Sequence, residues 1–181
     1  MDLSKVGNAA KVCFESKSAT LCLAGVAGSG KTSIWSQIYK DLGFEEYVIL
    51  RPALLADSAD LIGLPEFEVV KKGGKATKTT AFMRPKWLPF DGDKCLIIVD
   101  EINRATKDVS NALFGLIESE KPFIGDYQLP EGCRVVATCN PPTDNYAGVL
   151  DFADSAWSSR LCFVKIAPNL DVYTKYGRNS G

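Results

Sequence analysis

The segment GVAGSGKT, residues 25–32, constrains the fold more than any other stretch of the chain. It fits the pattern G-x-x-x-x-G-K-[ST] through Gly25, Gly30, Lys31 and Thr32, a match that chance yields in roughly one chain of this length in a few hundred. The apolar run LCLA precedes it and the amphipathic run IWSQIYKDL follows. Such a loop works only between a strand and a helix. Its glycines let backbone N–H groups curl around an anion, and the helix N-terminus adds the positive end of its dipole. The stretch Gly25, Val26, Ala27, Gly28, Ser29, Gly30, Lys31, Thr32 and Ser33 is therefore predicted to cradle nucleotide phosphates. Lys31 would reach the β- and γ-phosphates, and Thr32 would offer its hydroxyl to Mg²⁺. The competing reading is a glycine-rich turn beside a surface lysine.

The rest of the chain supplies the sheet that such a loop needs. ATLCLAG, YVILRPALL, KCLIIVDE, CRVVATCN and LCFVKIAP are solid apolar runs and read as five buried strands. Helices are predicted over Thr32–Leu42, stopped by Gly43, and over Thr106–Ser119, with Val109, Ala112, Leu113, Leu116 and Ile117 on one stripe. Val6, Ala9, Ala10, Val12 and Cys13 give the N-terminal segment a rough helical face. Strands alternating with helices predict an α/β domain, a P-loop NTPase with a doubly wound parallel sheet covered on both faces. Two segments interrupt it: Glu66–Trp87 reads as a hairpin turning at Gly73-Gly74 with Lys71, Lys72, Lys75 and Lys78 near its tip, and Lys121–Glu131 as a shorter turn-rich insertion.

Composition narrows the chemistry. A net charge of −1 gives no global attraction to nucleic acid or to an anionic membrane, and no apolar run approaches the ~20 residues that span a bilayer. The start, MDLSKVGNAAKVCF, lacks a secretory apolar core, so a cytoplasmic protein is expected. Cys13, Cys22, Cys95, Cys133, Cys139 and Cys162 form no C-x-x-C pair and are expected as buried free thiols. With no histidine in the chain, Ser-His and Cys-His nucleophiles and histidine-ligated metals are excluded. Carboxylates, Lys, Arg and hydroxyls must carry any chemistry.

Those groups cluster at strand ends. LIIVDE delivers Asp100 and Glu101 at the C-terminal end of an apolar strand, the edge at which open α/β sheets bind ligands. Asp100 fits a carboxylate supporting Mg²⁺, and Glu101 a group polarising the attacking water. Asn140 ends another strand, beside Asp100. Its amide suits the γ-phosphate or the water without adding charge, although a turn cap before Pro141-Pro142 explains it equally well. Arg160, just before the fifth strand, suits charge on a departing γ-phosphate, against the usual surface salt bridge. Arg104 is a lesser candidate of the same kind.

Taken in order, GVAGSGKT, DLIGLP, LIIVDEINRA, ATCNPP and SSRL resemble the AAA+ ATPases, and more narrowly the MoxR-like and dynein-related branch, over residues 1–175. The resemblance implies strand order 5-1-4-3-2, ATP and Mg²⁺ as cofactors, and a homo-oligomeric ring, commonly a hexamer, with each nucleotide at a subunit boundary. It further implies that Lys31 and Thr32 bind phosphate and Mg²⁺, Asp100 supports Mg²⁺ and Glu101 activates water. Asn140 would be the sensor-1 residue and Arg160 a finger acting on the neighbouring subunit. The 66–87 hairpin resembles the helix-2 insert facing the central pore. Residues 1–170 are expected as the core and 171–181 as the stub of a missing or truncated helical lid. The expected activity is ATP hydrolysis driving the remodelling of a protein client, with nucleic acid contacted through the hairpin lysines as a secondary option. The alternative is a nucleotide-dependent binding and assembly module with little turnover. A small-molecule kinase would need neither a trans arginine nor DEINRA. A GTPase or an ABC-type ATPase is disfavoured because N-K-x-D and LSGGQ-like segments are missing from the sequence.

Overall fold

Each apolar run becomes a strand in the computed structural model, which describes residues 3–140 and 155–167. In chain order the elements are α1 (Leu3–Ser16), β1 (Thr20–Ala24), α2 (Lys31–Ile38), β2 (Glu46–Leu50), α3 (Ala59–Ile62), β3 (Pro65–Lys72) and β4 (Lys75–Phe82). They continue with β5 (Cys95–Val99), α4 (Lys107–Leu116), β6 (Phe123–Ile124), β7 (Tyr127–Gln128), β8 (Arg134–Cys139), α5 (Ser155–Ser158) and β9 (Leu161–Lys165). β2, β5, β8, β1 and β9 lie side by side in one parallel sheet. Counting only these five strands in chain order, the arrangement is the predicted 5-1-4-3-2. The hairpins β3–β4 and β6–β7 stand outside it.

Side-chain alternation explains why the runs are solidly apolar. Leu21, Leu23, Leu96, Ile98 and Val136 pack on one face against Val6 and Ala10 of α1 and Trp35 and Ile38 of α2. Cys22, Ile97, Val99, Val135 and Ala137 point the other way, onto Val109, Leu113 and Leu116 of α4. Fully burying an aliphatic side chain contributes roughly 1.5–3 kcal/mol, so a strand apolar on both faces is driven inside the molecule.

The differences from expectation have local causes. β2 stops at Leu50, and the RPALL half of its run turns into a 3₁₀ turn at Pro52–Leu54, since proline cannot donate to a ladder. α2 ends at Ile38, before a turn that reaches Gly43, whose φ of 91° suits glycine. α4 ends at Leu116 rather than Ser119; at its start the Thr106 side chain accepts the N–H of Val109. The large hairpin spans Pro65–Phe82, short of Trp87, with its turn at Gly73-Gly74 as expected. Val12 is 63 % exposed despite its place in the apolar pattern, and Cys162, expected buried, is exposed on the edge strand β9. The turn at Pro141-Pro142 and the 171–181 stub lie outside the described residues.

Gly63 joins α3 to the hairpin with φ of 93°, and a Cβ there would come within 1.9 Å of the Met83 carbonyl oxygen. Gly63→Ala is therefore expected to lower unfolding free energy by roughly 1–3 kcal/mol. Urea denaturation followed by circular dichroism measures it as a reduced midpoint.

Candidate nucleotide site at the carboxyl edge of the sheet

The 25–33 segment leaves β1 and enters α2 with Gly28 at φ 75° and Gly30, the N-cap, at φ 80°. These left-handed conformations turn the chain back over the helix start. Gly25 is tighter still, because a Cβ would approach the Ile166 carbonyl oxygen to 2.7 Å. Lys31 is buried under this loop. Its Nζ donates to the carbonyls of Gly25 at 2.7 Å and Val26 at 3.0 Å and to Asn140 Oδ1 at 3.0 Å, so all three ammonium protons have partners. Ser29 Oγ is buried with no partner among the described residues, a spare donor inside the turn.

The acidic residues meet the loop from β5. Thr32 Oγ1 donates to Asp100 Oδ1 at 2.5 Å, and Thr138 Oγ1 donates to the same oxygen at 2.8 Å. The Thr138 hydroxyl also accepts the N–H of Glu101 at 2.9 Å. Glu101 itself sits at φ 50°, an uncommon conformation for a side-chain-bearing residue. Asn140 Nδ2 donates to Glu101 Oε1 at 2.9 Å, while Arg104 holds the other oxygen, Oε2, at 2.9 Å. Lys31, Asn140, Glu101 and Arg104 thus form one continuous chain of hydrogen bonds. Ala27, Gly28, Gly30, Lys31, Thr32, Ser33, Asp100 and Glu101 line an open cleft of about 350 Å³ here.

Electrostatics follow from this packing. Burial pulls the Lys31 ammonium down in pKa, while Cys139, Glu101 and Asp100 pull it back up without cancelling the effect. Partial burial pushes the Glu101 carboxyl up, but the Asn140 and Arg104 hydrogen bonds and the charges of Arg104 and Lys31 outweigh it and leave it below the usual carboxylate value. Hydroxyl and carboxylate oxygens, Thr32 and Asp100, form the hard donor set that suits Mg²⁺, and the orphaned Ser29 hydroxyl and glycine-built turn fit a phosphate.

Every predicted member but one is gathered here. Arg160 stands at the opposite edge, before β9, where its carbonyl accepts the N–H of Thr20. Its side chain pairs with Glu118 at 3.3 Å, donates to the Ala156 carbonyl and lies over Phe114. A cavity of about 420 Å³ opens near that edge, but its lining mixes Glu118 and Glu131 with Lys17 and Arg134 and converges on no point. Three neighbours of the site escaped the sequence reading. Thr138 looks like one more β-branched strand residue, and Asn103, fully buried, grips the Asn140 backbone through both its amide atoms. Arg51, 3.7 Å from Asp100, follows β2 at the same edge and was findable by the rule that located Asp100.

Thr138→Val keeps the shape but removes the hydroxyl shared by Asp100 and Glu101. Unfolding free energy should drop by roughly 1–3 kcal/mol, read by chemical denaturation. The Glu101 carboxyl has a folded-state pKa below its 4.5 reference, so its stabilisation is present above that pH and is lost as pH falls through the lower folded value. Acid titration of stability should therefore be shallower for Glu101→Gln than for the parent.

Comparison with known proteins agrees with the fold. A family model, the AAA domain of the dynein-related subfamily, matches residues 20–161. No curated protein matches the chain. Among solved structures, a provisionally assigned ATPase from Cytophaga hutchinsonii superposes with a TM-score of 0.57 at 19 % identity, covering 94 % of this chain and 49 % of that one. A mutant RuvB from Thermotoga maritima gives 0.54 at 17 % identity, covering 92 % and 46 %. The chain thus spans about half the length of these structures, and at such identities the likeness is one of fold. Among the described residues no helix is long and apolar enough to cross a membrane. With most of its length, from β1 to the start of β9, matched by one family model and its five strands in the order that family's members share, the chain belongs to the dynein-related subfamily of AAA domains.

Proposed function

We propose that the chain is the Mg²⁺-dependent ATP-hydrolysing core of a ring-forming, MoxR-like AAA+ protein that remodels a protein client. The observation that carries this reading is the continuous contact from Lys31 through Asn140 to Glu101, with Thr32 and Asp100 paired beside it. Lys31 and the loop N–H groups would hold the triphosphate, and Thr32 and Asp100 would hold Mg²⁺, which supplies charge neutralisation across the phosphates. Glu101, kept ionised by its partners, would accept a proton from the attacking water, and Asn140 would orient that water. Arg160 sits too far around the sheet to serve its own loop, so its role would be to stabilise charge in the site of an adjoining copy. Such a contact joins unlike faces, and repetition closes a ring when the rotation allows.

The hairpin is the natural client-facing element, because Lys71, Lys75 and Lys78 are exposed on a two-stranded ribbon with Phe67 84 % exposed beside them. Near-neutral net charge favours a protein client over nucleic acid. A second reading, nucleotide-dependent assembly with little turnover, draws on the same contacts, since Asn140 and Arg104 occupy both oxygens of Glu101.

Phosphate release from ATP and Mg²⁺ tests the proposal. Glu101→Gln should reduce turnover by at least about 100-fold while nucleotide still binds, and Lys31→Ala should abolish binding. Parent turnover no higher than that of Glu101→Gln sinks hydrolysis. ATP-induced assembly seen by sizing, without turnover, selects the second reading.

A further inference from the structure

Outside the nucleotide site, the six cysteines are not scattered. Cys22 and Cys139 lie beside each other on one face of the β1–β8 pairing, and Cys95 and Cys133 lie against one another at the start of the β5–β8 pairing. Both of these pairs are buried. The third pair differs. In the parallel pairing of β1 with β9, Cys162 is the register partner of Leu21, and register partners in a parallel sheet share a face. Leu21 packs in the same cluster as Cys13 of α1, so Cys162 projects from the edge strand towards the last turns of that helix. The two thiols lie close enough to interact. Cys162 is exposed, while Cys13 is 9 % exposed and borders the cavity of about 420 Å³.

We propose that Cys162 and Cys13 form a thiol-oxidation site, in which peroxide converts the pair to a disulfide that ties α1 to β9. The Cys162 sulfur attacks one peroxide oxygen as its thiol proton leaves; the O–O bond breaks, giving a sulfenic acid and a hydroxide that takes that proton and departs as water. The Cys13 sulfur then attacks the Cys162 sulfur, and the displaced hydroxide leaves as water with the Cys13 proton. Two thiols are oxidised and one hydrogen peroxide is reduced to two waters. The assignment of roles follows exposure: the reachable thiol meets the oxidant and the sheltered one resolves it. Burial, with Cys162 alongside, pushes the Cys13 thiol up to about 11, which also suits the second step rather than the first.

The bond would act on a strand that matters. Immediately after β9, the Ile166 N–H donates to the Ala24 carbonyl at 2.7 Å, and the Ile166 carbonyl is what would collide with any side chain at Gly25. Fixing β9 to α1 therefore braces the strand against which the phosphate loop begins.

The test uses the reduced full chain treated with hydrogen peroxide under native conditions, followed by non-reducing peptide mapping and thermal melting. The expected product is an intrachain link between the Cys13 and Cys162 peptides, with a melting temperature several degrees higher that reverts on reduction. Cys162→Ser should yield no such link and no shift. Cys13→Ser should leave Cys162 as a sulfenic acid that dimedone captures. The inference is overturned if wild-type Cys162 accumulates as sulfenic or sulfinic acid without a link. It is equally overturned if the link joins two chains, uses other cysteines or does not form. None of these readouts depends on nucleotide turnover.

Discussion

The pairing of β5 with β8 decides where the chemistry of this domain can sit. Ile98 faces Val136 and Val99 faces Ala137, so the next residues, Asp100 and Glu101, emerge alongside Thr138. Two strands further across, Thr20–Ala24 pairs with the opposite side of β8, which sets the 25–33 loop beside Asn140. A one-residue slip between β5 and β8 would turn Asp100 away from Thr32 and put apolar side chains at the edge. What opposes that slip is the tie at the edge, where the Thr138 hydroxyl joins the Asp100 carboxylate and the Glu101 N–H.

Sheet and loop were legible in the sequence because both depend on strong local signals: apolar runs on the one hand, glycines that tolerate positive φ on the other. Lys31 and Thr32 were placed by the glycine-rich loop pattern, and Asp100, Glu101 and Asn140 by the rule that ligands meet the carboxyl ends of strands. Thr138 and Asn103 were not, since a buried hydroxyl or amide matters only through the neighbour it reaches, and Thr138 reaches residues 37 and 38 positions away. Arg160 shows the other limit. Its position before β9 was correct, yet sequence order says nothing of Glu118 and Phe114, the groups that hold it within its own chain. Exposure at an edge strand likewise has no signature in LCFVKIAP, and so Cys162 was assigned to the interior.

The two hairpins illustrate how an insertion can leave a sheet intact. β3–β4 begins just beyond α3 and returns before β5, and the Tyr127 hydroxyl donates to the Phe82 carbonyl, pinning its base to β6–β7. Asp126 accepts the Phe82 N–H at the same corner. Among the described residues the ribbon is therefore anchored at its base. Its far half, with Val69 58 % exposed, contributes little to the core and is open to a partner.

Lys31 carries a consequence for how the loop meets its ligand. Its ammonium already has three oxygens from its own chain, so a phosphate arriving there would displace internal partners rather than fill an empty place. Binding there would be an exchange reaction, its free energy the difference between two sets of charge-assisted bonds. The carbonyls of Gly25 and Val26 thus act as resident competitors. Affinity at such a site would be tuned as much by how firmly the loop grips its own lysine as by anything a ligand offers.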